Sequence, residues 1–142
     1  MYNGIVETSH AERLTPVQLA FIGDAVHTLY VRERIVSEQS AGTGTLHTAA
    51  SRLLSAVSQA AVYDMLVAAE YLTEAEADVG RRAKNAHLHS RAKTASPTEY
   101  HKATALEAII GYVHTLERAE RETELLDKCF CLGKEYAAQN KR

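Results

Sequence analysis

The sequence predicts an all-α fold, and three observations carry that prediction. First, Thr15-Pro16-Val17-Gln18, Thr73-Glu74-Ala75-Glu76 and Ser96-Pro97-Thr98-Glu99 each have the form of a helix start. Each pairs a Thr or Ser N-cap with Gln or Glu three residues on, so side chains and backbone can exchange hydrogen bonds across the first turn. Second, both prolines of the chain occupy the first helical position of such a start, where a missing N–H costs nothing. Third, the period-2 alternation of half-buried strands is absent, while Ala and Leu are abundant.

Taken in order, the first helix is expected from about Pro16 to Glu38. Ser40 to Thr45, SAGTGT, reads as a loop. Leu46 to Tyr71 reads as one or two helices with a break near Ser55. A short helix is expected from about Glu74 to Lys84, then a polar loop from Asn85 to Ala95. Pro97 opens a long helix to about Arg118, and a last helix runs from about Glu122 to Ala137. Two of these are apolar nearly all round: the first between Val17 and Val31, and the Pro97 helix through ALEAIIGYV, Ala105 to Val113. Helices of that kind are buried on most sides. The 142 residues suit a single domain with one core, over about 15–137.

Composition narrows the function. Apolar residues make up 46% and charged residues 24%, a balance expected of a soluble domain. No run of eighteen apolar residues exists, so no membrane span is expected. The start, MYNGIVETSHAERL, lacks a basic opening followed by an apolar run, so no signal peptide is expected. Cys129 and Cys131 stand too close to frame a disulfide fold, which favours a reducing cytoplasm. The net charge of −2 hides a strong polarity. Residues 81–102 hold Arg81, Arg82, Lys84, Arg91, Lys93 and Lys102 against one acid, Glu99, while acids dominate elsewhere. Such a chain presents a basic face to an anionic partner.

The apolar helices each contain an anomaly. FIGDAVHTLYV places Gly23 and Asp24 in the first, and ALEAIIGYV places Glu107 and Gly111 in the second. Glycine lets another backbone, or a substrate, approach closely. Asp24 and Glu107 have two readings. As structural acids they would bond neighbours such as His27, Thr28 or Thr104. As a pair on packed helices they would repel, unless a divalent cation removed the penalty. An all-oxygen set suits Mg²⁺, with Mn²⁺ as a substitute, and Mg²⁺ takes few protein carboxylates. A cation so held can activate water against a phosphodiester. His87-Leu88-His89 has no cysteine near it in sequence, so its zinc signal is faint. Glu74 and Glu76 read as surface acids, poor material for a nucleotide pyrophosphohydrolase.

FIGDAV is similar to the Leu-Gly-Asp-Ala-Val signature of the ribonuclease III family, and TALEAIIGYV to that family's Phe-Glu-Ala-Leu-Ile-Gly stretch. The two occur in the family's order and separation. TLHTAASRLLSAVSQAAVYDML resembles the helix pair between them. The chain length and RRAKNAH resemble the Mini-ribonuclease III subfamily, which lacks a double-stranded-RNA-binding domain. The resemblance covers roughly residues 15–135. It implies a homodimeric, Mg²⁺-dependent, cytoplasmic endonuclease that cuts double-stranded RNA to 5′-phosphate and 3′-hydroxyl ends. It also implies catalytic, metal-holding Asp24 and Glu107, and precursor 23S ribosomal RNA as substrate, with a ribosomal protein as a candidate helper. The larger family has further acids where this chain has Val17, Ala20 and Thr104. RNA phosphates and water would have to complete so thin a site. The RNA-contact candidates are Arg81, Arg82, Lys84, Asn85, Arg91, Lys93 and Lys102. A-form RNA is met mainly through phosphates, 2′-hydroxyls and shape. A non-catalytic helical RNA-binding dimer is the alternative.

Overall fold

Side-chain caps set the start of four helices. In the computed structural model, which describes residues 13–86 and 96–140, all three predicted capping boxes form with both reciprocal bonds. At the first, the Gln18 amide donates to Thr15 Oγ1 over 3.1 Å and the Thr15 amide to Gln18 Oε1 over 2.9 Å. The elements are α1 (Pro16–Glu38), α2 (Thr43–Leu54), α3 (Ala56–Ala68), α4 (Glu74–Lys84), α5 (Pro97–Thr115) and α6 (Ala119–Gln139), with no strand among the described residues. The ranges of α1 and α4 are those their caps predict. The break at Ser55 is also present: its backbone is extended, and its hydroxyl caps α3 by accepting from the Ser58 amide.

Four boundaries differ from expectation by three residues, each where no side chain marks the end. α3 stops at Ala68, short of the expected Tyr71, because Glu70 turns left-handed, φ 52°, and the Tyr71 amide returns to the Leu66 carbonyl. α2 starts at Thr43, inside the expected loop, from a Gly42 N-cap without a side-chain bond. α6 likewise starts early, at Ala119, from an uncapped Arg118. α5 stops at Thr115 because Glu117 turns left-handed, φ 56°, sending the Arg118 amide back to the Val113 carbonyl. Helices often end this way, but on glycine, so a glutamate there gives no sequence signal.

α5 lies at the centre and packs against α1, α3, α4 and α6. Ala105, Leu106, Ala108, Ile109, Ile110 and Val113 are fully buried, as its all-round apolar pattern requires. α1 departs from that pattern. Leu19, Val31 and Ile35 face the core, but Val17, Phe21, Leu29 and Val36 are exposed, Phe21 to 83%. The stripe recurs at intervals of four, eight and seven residues along one face of α1.

Glu76, expected on the surface, is wholly buried. It closes the α4 capping box and accepts from Arg121 of α6, with contacts of 2.6 and 2.8 Å. Arg121 also donates to the Tyr71 carbonyl and lies over the Tyr71 ring. Burial opposes ionisation of Glu76, but its bonds to Arg121 and Thr73 prevail and hold its carboxyl below the usual range. Cys129 is buried, and burial pushes its thiol up to about 12; Cys131 faces out. No helix among the described residues is long and apolar enough to cross a membrane.

Candidate functional site

The two glycines of the apolar helices lie where α1 and α5 touch. A β-carbon on Gly23 would sit 1.7 Å from the Glu107 carbonyl oxygen, and one on Gly111 would sit 1.9 Å from the Leu19 carbonyl oxygen. Of the two roles open for Gly23, close approach of backbone is the one observed. The helices interlock main chain against main chain, so the residues flanking the contact are forced together. Asp24 follows Gly23 directly, and Glu107 lies one turn before Gly111.

The carboxyl groups of Asp24 and Glu107 are therefore neighbours across the crossing. Asp24 is exposed; Glu107 is partly buried. Burial first, and then the adjacent Asp24 charge, push the Glu107 carboxyl up to about 8. The structural reading asked for other partners. Thr28 Oγ1 donates to Asp24 Oδ1 over a long 3.4 Å, and Thr104 Oγ1 donates instead to the Tyr100 carbonyl at 2.9 Å. His27 is buried and its Nδ1 has no hydrogen-bond partner among the described residues. Burial holds the ring down to about 4, so it is neutral at physiological pH. Among the described residues no basic side chain balances the acid pair, which is poor design for stability and good design for a cation.

Gln59, from α3, also belongs to this place. It is buried, and its carboxamide lies between the His27 ring and the Glu107 carboxyl group. Sequence reasoning missed it. The available signal was an amide in the otherwise apolar run AVSQAAVYDML, the same kind of anomaly that drew attention to Asp24. Where the larger family has more acids, Ala20 and Thr104 are buried and Val17 is exposed. No group of three or more His, Cys, Asp or Glu gathers among the described residues. Beside Asp24 an open concavity of about 750 Å³ is lined by Phe21, Leu29, Arg32 and His114 among others.

The basic candidates are partly assembled. Arg81, Arg82 and Lys84 occupy the last turn of α4, and Asn85 is its C-cap. Arg81 and Arg82 are exposed and held by Asp78, at 2.5 and 3.8 Å. Lys102 of α5 is already engaged with Asp64 of α3 at 2.8 Å, so it meets a phosphate only in exchange for that partner. Both Arg81 and Lys102 lie near Tyr63, drawing α4 and α5 cations to one face. Arg91, Lys93, His87 and His89 lie outside the described residues. Arg52 and Ser51 are exposed on α2.

Among the described residues, six helices bring two carboxylates together at their central crossing, with a basic helix end on the same domain, a set of groups suited to phosphodiester hydrolysis. The chain belongs to the ribonuclease III domain family, whose model matches residues 17–117. That membership makes it an endoribonuclease of the double-strand-specific type. Among its relatives, a Mini-ribonuclease 3 of Symbiobacterium thermophilum is 42% identical, covering 80% of this chain and 85% of the relative. A Mini-ribonuclease 3 of Staphylococcus aureus is 36% identical, covering 91% of this chain and 96% of the relative. A crystal structure of a Fusobacterium nucleatum protein superposes with a TM-score of 0.72 at 29% identity, covering 80% of this chain and 88% of that one.

Proposed function

We propose that Asp24 and Glu107 together hold a divalent cation, Mg²⁺ or Mn²⁺, and that this centre hydrolyses one strand of an RNA duplex. The single observation that carries the reading is the adjacency of the two acids with, among the described residues, no cationic side chain between them. An acid held at about 8 keeps a proton at neutral pH that a divalent cation can replace. Two carboxylates with solvent access suit Mg²⁺, which keeps waters and takes substrate phosphates as further ligands. When bound, such a cation supplies activation of water and stabilisation of the leaving oxygen, giving 5′-phosphate and 3′-hydroxyl ends. The chain's own work is to fix the two carboxylates through the glycine crossing and to bring phosphates to them. Arg81, Arg82, Lys84 and Asn85 would meet phosphates or 2′-hydroxyls; Arg91, Lys93 and Lys102 complete the proposed set.

The exposed stripe Val17, Phe21, Leu29 and Val36 supports a homodimer, since a two-fold pairing of α1 helices would remove it from water. Two subunits then cut the two strands. The Mini-ribonuclease 3 relatives support the subfamily. The role that the sequence resemblance implies for that subfamily is trimming of precursor 23S ribosomal RNA in the cytoplasm, with a ribosomal protein as candidate helper. The test is incubation of long duplex RNA with wild-type protein and Asp24→Asn, with and without Mg²⁺. Asp24→Asn should bind the duplex and leave it intact. Cleavage by that variant at the wild-type rate would end the mechanism.

A further inference from the structure

We propose that Gln59 is a positioning residue for the acid pair, an amide clamp that fixes the Glu107 carboxyl group for its cation. The proposal rests on the metal reading of Asp24 and Glu107 and adds a residue to it.

Gln59 is only 4% exposed, and a buried carboxamide must satisfy two N–H groups and one oxygen. One N–H is fixed: Nε2 donates to the Leu54 carbonyl at 2.8 Å. That carbonyl belongs to the last residue of α2, at the Ser55 break, where no intrahelical donor follows. The break thus anchors the amide and settles which way it faces. The second N–H is left on the side of Glu107, the neighbour across α5. Among the described residues Gln59 Oε1 has no partner, and neither does His27 Nδ1, yet both are buried and the two side chains face each other. One is an acceptor. The other, on a neutral ring, becomes a donor in the Nδ1–H tautomer. A small shift joins them and completes the amide.

The resulting chain runs from the α2 carboxyl end, through Gln59, to His27 on α1 and Glu107 on α5. It ties three helices to the carboxylate, which meets Asp24 across the α1–α5 crossing. An amide suits this place better than a charged group. A lysine would neutralise Glu107 and displace a cation, and a carboxylate would add repulsion. A neutral donor orients the acid and leaves its charge for the metal. Outer partners that orient metal ligands typically contribute about 10–100-fold in affinity or activity.

The experiment uses Gln59→Leu and Gln59→Asn in the full chain. Leucine removes the amide at similar volume, and asparagine keeps the amide but withdraws it by one methylene. Mn²⁺ binding is measured by electron paramagnetic resonance without RNA, and duplex cleavage is followed across Mg²⁺ concentrations. Melting temperature is recorded for each variant. Both variants should bind Mn²⁺ about tenfold more weakly and lose about tenfold in kcat, with KM for RNA within twofold of wild type. High Mg²⁺ should recover part of the loss. The proposal is overturned if Mn²⁺ affinity and kcat stay within twofold of wild type. It is also overturned if activity returns fully on cooling, or if neither variant folds, because Gln59 would then be structural. Asp24→Asn is run in parallel. If that change leaves Mn²⁺ binding intact, the metal reading itself fails, whatever Gln59 does.

Discussion

Gly23→Ala isolates the contact on which the site depends. The added methyl would sit 1.7 Å from the Glu107 carbonyl oxygen, where ordinary contact begins at 3.4 Å. The obstacle is main chain in mid-helix, so no rotamer relieves it, and α1 and α5 must separate by about 1.7 Å at the crossing. A gap of even 0.5–1 Å forfeits about a quarter to a half of each dispersion contact. Leu19, Leu106 and Ile110, all buried around this crossing, would lose such contacts. Overpacking that the backbone cannot absorb costs about 3–5 kcal/mol, and alanine's helix propensity returns about 1, leaving a net loss of about 2–4 kcal/mol. That is a large part of the roughly 5–15 kcal/mol that holds a domain folded. Gly111→Ala should cost a similar amount, because its methyl would meet the Leu19 carbonyl oxygen at 1.9 Å. The same separation relieves both clashes, so the double variant should cost clearly less than the sum. Gly44→Ala is the control: nothing lies within 4 Å of its methyl, and it should gain up to about 1 kcal/mol. Urea unfolding at one protein concentration reads all four. A Gly23→Ala variant within about 1 kcal/mol of wild type, or strict additivity with Gly111→Ala, would refute the interlocked crossing.

Three further outcomes follow from particular contacts. Replacing Glu76 with Ala leaves the largely buried Arg121 with Glu124 and the Tyr71 carbonyl as its remaining partners and should destabilise by about 2–3 kcal/mol in thermal or urea melts; a loss under about 1 kcal/mol would place the pair in effective contact with water. In metal-free protein, an unfolded Glu107 carboxyl ionises near 4.5, whereas the folded one keeps its proton to about 8. Between those values the native state holds the extra proton, so this group's contribution to stability falls as pH rises, most of it lost by about 8. Differential scanning calorimetry from pH 5 to 9 should show that decline, and Glu107→Gln should flatten it. Finally, the proposed pairing of α1 helices predicts that the wild type sediments as a dimer and Phe21→Asp as a folded monomer, because Phe21 is 83% exposed within one chain; an unchanged sedimentation coefficient would remove α1 from the interface.

Much of the architecture is local chemistry, and local chemistry is written in sequence. Thr15, Thr73 and Ser96 each start a helix through bonds within four residues, so their positions are legible without a fold. The ends at Glu70 and Glu117 are not legible, because a left-handed glutamate is stabilised by the turn it sits in. Asp24 and Glu107 stood out as acids in apolar helices, and the family motifs named them as a pair. Their neighbourhood depends on which helix faces meet, which tertiary packing decides. That packing turned Gly23 and Gly111 into one interlocked contact, exposed Phe21 on a helix whose pattern promised burial, and buried Glu76 behind Arg121. It also brought in Gln59 from a third helix, whose place beside Glu107 no spacing along the chain encodes. Composition and periodicity thus determined the helices and their apolar faces, because those depend on residues a few positions apart. The placement of polar groups at the crossing was decided only when distant helices packed, because burial and charge act through space.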